Sequence, residues 1–410
     1  MKSLLLVNHS FPLELKDNSL LIKDGVSAHS VGVARQLKKK YNVTIFSPGD
    51  ESKFSFQGIE FIHSGGQSNS QYKFGNLDFC YKLIDYSLNN NFHYIVVHSG
   101  LIIFLSFMRN IMKAHCVGYV HDVFPNIKGS IYSFLRDLFF RKSRKLDLVM
   151  SDNAYNCEVL TEKYRYNPHK VYLSGNGVEI EKFTFQDSKD EQLVFIGRFV
   201  GSKNIIKLIK SLEKLLRQNK NLILVLIGDG ILYDDINEYA VKNSLQNSVK
   251  IFRNIKEEQK INELQKAKVY VSLSEAEGFG IPLVESMACG AVPVVSNIDA
   301  HRFVLQGRDA GFLVNSEEEL AEKVEHLLKN EPRRKEMAGK GRRLVEEMWT
   351  WEKVASRYEK AFSTLEEKKL SRFQKKVSRP VKLFLIKSTI RLVHYLLFRL
   401  RVLRPYNDGV

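Results

Sequence analysis

Short apolar runs alternate with helical patterns in the first half of the chain, and this alternation restricts the fold more than any other feature. Strands that alternate with helices form a parallel sheet with helices packed on its faces. Ligands bind at the carboxyl ends of such strands, so the loops that follow them bear on function. Helical patterns lie at Val31–Lys39, Leu77–Leu88 and Tyr132–Arg141. The predicted strands are Leu4–Val7, Val43–Phe46, Ile59–Ile62, Tyr94–Val97, Cys116–Val120, Leu146–Met150 and Val171–Leu173.

The length of the chain predicts two domains, because 410 residues are too many for one ordinary hydrophobic core. We place the first domain at residues 1–178 and the second at residues 179–348. The segment Ser174–Val178 separates them, since its glycines and asparagine favour a turn. A hydrophobic fraction of 44% and a charged fraction of 26% are ordinary for a globular protein and exclude wholesale disorder.

Cysteine usage and hydropathy predict a cytoplasmic protein. The four cysteines lie far apart and form no Cys-x-x-Cys pair, which argues against a zinc site or a disulfide framework. No apolar run reaches the roughly 18 residues that a membrane span needs. The run Leu4–Val7 is too short for the core of a signal peptide and is better explained as the first strand.

The C-terminal segment 366–410 carries more than half of the net charge of +16, with twelve basic residues against three acidic ones. Such apolar and basic helices lie in the interface of anionic membranes, which predicts a peripheral protein on the cytoplasmic face of a membrane. A helix packed on a partner protein is the alternative. Nucleic-acid binding would also explain the charge, but the apolar face argues against it. That face, within residues 380–404, comprises Phe384, Leu385, Leu392, Tyr395, Leu396, Val402 and Leu403.

The segment 269–290 predicts a strand, a glycine-rich turn and a helix. Gly280 lets the backbone adopt unusual dihedral angles and approach a ligand closely, as does Gly278 on the other side of Phe279. Pro282 suits the first position of a helix, where a missing N–H group is no loss, and Gly290 suits its end. The start of such a helix, at Gly280 and Ile281, offers N–H groups to an anion.

Two carboxylates flank this predicted anion site: Glu277 before the turn and Glu285, which we place in the first turn of the helix. A carboxylate repels phosphate but accepts hydrogen bonds from sugar hydroxyl groups. The combination predicts a pocket for a nucleotide sugar. A capped strand-to-helix turn, with Glu285 stabilising the helix dipole, explains the same residues without a ligand.

Glycines and cations follow two further predicted strands of the second domain. Gly197 and Arg198 come directly after the strand Leu193–Ile196, and Lys203 follows five residues later. Arginine gives forked hydrogen bonds and lysine a point charge, so this loop suits a diphosphate, although plain surface placement is the alternative. Gly228 follows the predicted strand Leu222–Ile227 and begins a loop that lacks the third glycine of a dinucleotide fingerprint, so a Rossmann cofactor is not expected.

Several of these segments resemble the retaining glycosyltransferases of family four, which have the GT-B fold. Residues Glu277–Glu285, Glu-Gly-Phe-Gly-Ile-Pro-Leu-Val-Glu, match the Glu-x7-Glu signature, and Gly197–Asn204 matches the diphosphate-binding Gly-Arg-Phe-x-x-x-Lys-Asn pattern. The resemblance covers about residues 1 to 365. It implies an α/β protein with two Rossmann-like doubly wound parallel-sheet domains that face a cleft. A helix at residues 349–365 would cross back to the first domain, and the amphipathic tail 366–410 lies outside the resemblance.

The resemblance also implies roles for the second-domain residues. Glu277 would contact the sugar ring of the donor and Glu285 the ribose. Arg198 and Lys203 would bind the diphosphate, together with the turn at Gly280. Glu277, Arg198 and Lys203 would be the catalytic residues of this domain. The donor site would also be lined by Phe279, Ile281 and three glycines, Gly197, Gly228 and Gly280.

Two histidine loops of the predicted first domain complete the candidate site. Gly25, with His29 four residues later, resembles the family's Gly-Gly-Val loop for the donor diphosphate. Asp24 replaces the first glycine and would repel a diphosphate, so a position facing the acceptor is the alternative for this loop. His121 and Asp122 follow a strand, where a histidine can bond to a phosphate or sugar oxygen. We predict His121 as catalytic, and His29 and Asp122 as acceptor-binding; an ordinary packing or turn role is the alternative.

The implied reaction transfers a hexose-type sugar, with retention, from a UDP- or GDP-sugar to a hydroxyl group of a glycan acceptor. A lipid-linked acceptor would place the protein in polysaccharide, lipopolysaccharide or glycolipid assembly. No Asp-x-Asp pair is evident, and we expect neither a metal nor a cofactor beyond the nucleotide-sugar co-substrate. A sugar-nucleotide epimerase or a phosphorylase on the same fold is the rival enzyme class, and a nucleic-acid binder is the non-enzymatic rival.

Overall fold

The computed structural model describes residues 1–8, 13–16, 19–22, 24–65, 77–98, 101–109, 112–121, 137, 140–366 and 388. These residues fall into two compact domains. The first comprises Met1–Gly175 and the described residues from Val354 onwards, and the second comprises Asn176–Lys353. The predicted helix at 132–141 lies largely outside the described residues, as do Asp122 and almost all of the segment 366–410.

The first domain contains an eight-stranded sheet in the order β10-β9-β8-β7-β1-β4-β6-β5. Its helices are α1 (Gly25–Leu37), α2 (Leu77–Asn89), α3 (Ile102–Met108) and α4 (Ala154–Glu162). A separate two-stranded ribbon pairs β2 with β3. The strands are β1 (Lys2–Val7), β2 (Glu14–Lys16), β3 (Ser19–Leu21), β4 (Tyr41–Ser47), β5 (Ser52–Phe56), β6 (Ile59–His63), β7 (Tyr94–His98), β8 (His115–Val120), β9 (Leu148–Ser151) and β10 (Val171–Leu173).

Buried strands explain why the sequence pattern predicted this sheet well. The four residues Leu4–Val7 of β1 are at most 1% exposed, because helices cover both faces of a parallel sheet. The predicted strand Leu146–Met150 is displaced to Leu148–Ser151. The reason lies at Asp147, whose carboxylate accepts from Arg109 at 2.6 Å and from the backbone N–H of Cys116 at 2.8 Å.

One edge of the first sheet departs from the expected parallel pattern. Strand β5 pairs antiparallel with β6, and the sequence analysis missed it. The two strands are joined by Gln57 and Gly58, whose φ angles are 50° and 74°. Two consecutive positive φ angles are typical of the tight hairpin turn that matches the twist of paired strands. Phe54 stacks on Phe61 at 4.9 Å across the pair.

The second domain contains a six-stranded parallel sheet in the order β13-β12-β11-β14-β15-β16. Its strands are β11 (Gln192–Ile196), β12 (Ile223–Ile227), β13 (Val249–Phe252), β14 (Val269–Ser272), β15 (Val292–Ser296) and β16 (Phe312–Val314). The strand order reverses between β11 and β14, where ligands bind in open α/β sheets. Its helices are α5 (Ile205–Gln218), α6 (Tyr233–Lys242), α7 (Glu257–Lys266), α8 (Ile281–Cys289), α9 (Asp299–Leu305), α10 (Glu317–Lys329) and α11 (Glu331–Met348). The prediction of two parallel-sheet α/β domains is confirmed.

The last described helix, α12 (Trp351–Glu366), begins after Thr350, whose hydroxyl accepts from the N–H of Lys353 at 3.3 Å. Thr350 therefore caps the start of this helix. Further along, Phe362 stacks on Tyr94 of β7 with ring centroids 4.4 Å apart. Helix α12 therefore contributes apolar side chains to the core of the first domain. Among the described residues, every helix is too short or too polar to cross a membrane.

Candidate active site

Two loops meet at the carboxyl ends of β11 and β14 in the second domain. The backbone N–H of Glu275 donates to the carbonyl of Ser202 at 2.9 Å, which ties the loop after β14 to the loop after β11. The side-chain amide of Asn204 donates to the carbonyl of Leu273 at 3.1 Å and to the Glu275 carboxylate at 3.0 Å. Asn204 adopts a left-handed conformation with φ 52°, which these two bonds stabilise.

Lys203 and Glu277 form an ion pair inside this pair of loops. Lys203 Nζ lies 2.5 Å from Glu277 Oε1 and donates to the carbonyl of Ala276 at 3.2 Å. Lys203 is only 9% exposed, so surface placement, the alternative considered for this residue, does not apply. A lysine taken out of water needs a nearby negative charge. Glu277 supplies that charge and is itself about one-fifth exposed.

Helix α8 begins between these groups at Ile281, after Gly280 with φ 91°. Only glycine adopts this left-handed conformation without strain. Gly290 ends the helix with φ 87°, as predicted. Pro282 is the second residue of the helix rather than the predicted first. Within the described residues, no side chain caps the start of the helix. Pro282 has no N–H group, and the N–H of Leu283 donates to the carbonyl of Gly280 at 3.0 Å, so the amides of Gly280 and Ile281 are the ones that can serve an anion.

Glu285 lies deeper in α8 than predicted. It is the fifth residue of the helix, and the first turn contains no acidic residue. The prediction was wrong because it took Pro282 as the first helical residue and counted Glu285 into the same turn. The carboxylate is 7% exposed and pairs with Lys260 Nζ of α7 at 2.8 Å. Burial raises the pKa of Glu285 above its usual value, and the Lys260 charge opposes this shift.

Phe279 has its side chain in the core of the second domain. It is 3% exposed, and its ring lies edge-on to Trp349 at 5.3 Å. Any contact from this residue to a ligand therefore comes from its main chain. This corrects the expectation that the aromatic ring lines the donor site, because the apolar ring gains more from burial in the core.

The glycines after β11 and β12 allow two loops to approach each other. A Cβ atom built on Gly228 would lie 1.9 Å from the carbonyl oxygen of Gly197. This contact explains the glycine at position 228, while a Cβ atom built on Gly197 would lie 3.0 Å from Cζ of Phe195. Arg198 is exposed in the loop between them and the Gly201–Lys203 turn.

The first backbone amides of α1, in the first domain, are hydrogen-bonded to the side chain of Asp24. The Asp24 carboxylate accepts from the N–H groups of Val26 at 2.8 Å and Ser27 at 2.9 Å. It also accepts from the Ser27 hydroxyl at 2.7 Å. Asp24 is thus the N-cap of α1. A diphosphate at Gly25 would compete with this carboxylate, and the donor role of Gly25 stays a prediction.

Three histidines of the first domain lie together: His29 in α1, His98 at the end of β7 and His121 after β8. Nδ1 of His98 lies 2.7 Å from Nε2 of His121, and Nδ1 of His121 lies 2.8 Å from the Asp152 carboxylate. The rings of His98 and His121 are stacked at 4.9 Å. Both nitrogens of His121 are therefore hydrogen-bonded to side chains of its own domain.

His29 is buried behind this pair. It is 1% exposed, and its Nε2 lies 2.8 Å from the hydroxyl of Tyr358 in α12. A direct contact to an acceptor, predicted from its position after Gly25, does not fit this burial; the helix turns the side chain inward. Burial raises the pKa of Tyr358 and of its neighbour Tyr119, and the negative charge of Asp152 adds to both shifts.

Sequence reasoning missed His98, Asp152, Lys260 and His301. His98, Asp152 and Lys260 each contact a side chain more than 20 residues away, and His301 is 21 residues from Gly280, so no local spacing pointed to them. His98 could have been noticed as a polar residue that ends a buried strand, like His121. In the described part of the chain, no three His, Cys, Asp or Glu side chains are placed to hold a metal ion.

Comparisons with known protein families cover most of the chain. The model described as Glycosyltransferase Family 4 matches residues 23–182, and the model described as Glycosyl transferases group 1 matches residues 178–344. The two matches are consecutive and correspond to the two sheets. They support a glycosyltransferase of the family-four type.

Individual relatives carry glycosyltransferase names. The GDP-mannose:cellobiosyl-diphosphopolyprenol alpha-mannosyltransferase of Xanthomonas campestris is 27% identical over 154 residues, 36% of this chain and 40% of that enzyme. The phosphatidyl-myo-inositol mannosyltransferase of Mycobacterium tuberculosis is 26% identical over 204 residues, 46% of this chain and 53% of that enzyme. The chain thus spans about half the length of these curated relatives.

Solved structures share the fold over nearly the whole chain. A glycosyltransferase from Rickettsia africae superposes with a TM-score of 0.71 at 18% identity and covers 90% of this chain and 99% of its own. HepE of Anabaena, in complex with UDP and glucose, gives a TM-score of 0.69 at 13% identity and covers 89% and 100%. These likenesses establish the GT-B glycosyltransferase fold.

Proposed function

We propose that this chain is a retaining glycosyltransferase that transfers a hexose-type sugar from a UDP- or GDP-sugar to a hydroxyl group of a lipid-linked glycan. The observation that carries the proposal is the site at the start of α8. There a buried lysine, a carboxylate and an uncapped helix start converge at the reversal of strand order. Donors of hydrogen bonds suit a diphosphate, and the adjacent carboxylate suits a sugar hydroxyl.

The first step is departure of the nucleoside diphosphate. Negative charge grows on the leaving oxygen, and groups already aimed at that position lower the barrier most. We assign this task to Lys203, Arg198 and the amides of Gly280 and Ile281, and we propose that they perform it without a metal ion. Burial of Lys203 strengthens its interaction with the phosphate, because less water screens the charge.

Glu277 has two partners in the proposed cycle. In the structure it pairs with Lys203, which keeps both charges satisfied. When the diphosphate occupies Lys203, the Glu277 carboxylate is released to accept hydrogen bonds from the sugar as positive charge develops at the anomeric carbon. The acceptor hydroxyl then attacks from the face that the phosphate leaves, and the leaving phosphate takes the proton, which gives retention.

The ribose is assigned to Glu285. Its carboxylate is kept in place by Lys260, so the ion pair orients an acceptor of hydrogen bonds at the second turn of α8. In the first domain we retain His121 as the substrate-facing group, since its side chain is about 10% exposed while His29 is buried. Contact through a ring nitrogen requires His121 to exchange one of its present partners for the substrate.

Replacement of Glu277 by alanine tests this assignment. We expect kcat with the identified donor to fall at least about 100-fold, as for loss of a transition-state contact. Glu238→Ala is the control, because Glu238 is an exposed carboxylate on α6 of the same domain, away from the two loops of the site. Turnover that survives in Glu277→Ala contradicts the site. Conversion of the donor's sugar in the absence of any acceptor would identify an epimerase instead.

Two observations support the proposal of a lipid-linked acceptor. The names of the Xanthomonas and Mycobacterium relatives include a diphosphopolyprenol and a phosphatidyl-inositol. The sequence of the segment 366–410 is basic and amphipathic, and we assign it to the cytoplasmic face of an anionic membrane.

Deletion of residues 372–410 tests the membrane assignment. The full chain should float with vesicles that contain phosphatidylglycerol, and the shortened chain should remain with the soluble fraction because it has lost both the apolar face and the basic residues. Binding of the nucleotide, measured by calorimetry, should be the same in both and controls for folding. Equal flotation of the two chains would reject the assignment.

A further inference from the structure

His301 is a buried histidine that the proposed mechanism does not use. It is the third residue of α9 and is 1% exposed. Its Nδ1 lies 2.8 Å from the carbonyl oxygen of Ser296. A carbonyl oxygen can only accept, so Nδ1 carries the hydrogen of this bond. In the neutral ring Nε2 is then a bare acceptor.

The neutral form of His301 is favoured by its surroundings. Burial lowers the pKa of His301; Glu277 and the Ser296 carbonyl oppose this shift, and the positive charge of Lys203 adds to it. The two charged groups of the candidate site therefore both act on this imidazole. At neutral pH the ring offers a hydrogen-bond acceptor to that site, and no positive charge.

The Nε2 edge of His301 faces the start of α8. A Cβ atom built on Gly280 would lie 3.7 Å from Cδ2 and 4.0 Å from Nε2 of His301. The hydrogen-bond contacts of His301 all involve Nδ1, and within the described residues Nε2 has no hydrogen-bond partner. An acceptor on a side chain that is only 1% exposed is better suited to a bound ligand than to bulk water. This observation is independent of the uncapped helix start and points to the same place.

We propose that Nε2 of His301 accepts a hydrogen bond from a hydroxyl group of the transferred sugar and so helps to select the donor. The assignment rests on the proposed function. A lone pair repels phosphate oxygens but binds a hydroxyl group. The start of α8 therefore presents donors for the diphosphate, at Lys203 and the first amides, and acceptors for the sugar, at Glu277 and His301.

Two substitutions separate the two nitrogens of His301. Asparagine places its amide at the position of Nδ1, so His301→Asn can keep the bond to Ser296 but has nothing at the position of Nε2. Glutamine is longer and can present a carbonyl oxygen where Nε2 lies, so His301→Gln restores the acceptor. The emission of Trp349 and Trp351, the only tryptophans of the chain, reports whether the second domain is folded in each variant.

The experiment compares the intact donor with analogues that lack one sugar hydroxyl each. With the intact donor, kcat/KM should fall about 10- to 100-fold in His301→Asn, as for loss of one buried hydrogen bond, and recover in part in His301→Gln. One deoxy donor should show a comparable loss with the parent chain and no additional loss with His301→Asn. The Kd of the nucleoside diphosphate alone, measured by calorimetry, should not change.

Two results would overturn the role of His301. One is a set of deoxy penalties that is the same in His301→Asn as in the parent for every hydroxyl group. The other is an equal weakening of the free nucleoside diphosphate and the nucleotide sugar. A parent chain that transfers no sugar from any donor would overturn the proposed function itself, so the two failures are distinguishable.

Discussion

Helix α1 of the first domain and helix α8 of the second treat their first amides in opposite ways. In the first domain, Asp24 occupies the start of α1 and accepts from Val26 and Ser27. In the second domain, Gly280 precedes α8 and provides no side chain to cap it. The same local element is therefore closed to anions in one domain and open in the other. A single residue at the N-cap position decides which.

The histidines of the two domains show the same contrast. His98 and His121 hydrogen-bond to each other, and Asp152 completes the chain of contacts. His301 has one nitrogen bonded to a carbonyl oxygen and the other directed at the start of α8. Polar groups that bond to one another fix a structure, whereas a buried polar group left open is suited to a ligand.

The largest expected effect comes from giving α8 the cap that α1 already has. Gly280→Asp places a carboxylate at the uncapped helix start, where it competes with the diphosphate for the same amides. We expect the Kd of the nucleoside diphosphate to rise about 100-fold relative to Gly280→Asn, or roughly 2.7 kcal/mol. The asparagine variant is the matched control, because it has nearly the same shape and suffers the same backbone strain at φ 91° but carries no charge.

Calorimetric titration of both variants decides this prediction. Equal affinity of Gly280→Asp and Gly280→Asn for the nucleoside diphosphate would mean that the diphosphate does not bind the first amides of α8. The difference in capping between α1 and α8 would then have no bearing on nucleotide binding.

A smaller effect is expected from opening α1. Asp24→Ala removes the acceptor for two backbone amides, so α1 should lose about 1 kcal/mol of stability. Faster hydrogen exchange of the amides of Val26 and Ser27 measures this loss. Asp24→Asn is the control, since its side-chain oxygen can still accept and should preserve most of the protection.

The affinity of the Asp24→Ala variant for the nucleoside diphosphate is the second measurement. It should not change if Asp24 is only a cap. A gain in affinity would show that the loop at Gly25 binds the diphosphate once its carboxylate is removed, and that the two helix starts are alternatives rather than opposites.

The sequence predicted the groups around α8 because they lie close together in the chain. Glu277, Gly280 and Gly290 fall within one strand-turn-helix unit, and glycine at each turn has a local physical reason. The depth of Glu285 was predicted wrongly, since the first helical residue depends on the φ angle of Gly280. Element boundaries of this kind are set by one or two dihedral angles that composition does not reveal.

The structure gives Asp24 a different role from the one that the sequence predicts. The sequence presents it as a negative charge next to an expected phosphate site. The hydrogen bonds to Val26, Ser27 and the Ser27 hydroxyl explain it as a helix cap. Both interpretations follow from the acceptor chemistry of a carboxylate, and only the geometry distinguishes them.

The sequence by itself determined the two parallel sheets and the Glu277 turn, because hydrophobic periodicity and glycine placement act over neighbouring residues. Only the tertiary structure decided which polar groups share a site. Lys203 meets Glu277, Lys260 meets Glu285, and His301 reaches Gly280 because the parallel order of the strands brings separate loops to one edge of the sheet. Hydrogen bonds and ion pairs act over a few ångströms in space, whatever the separation along the chain.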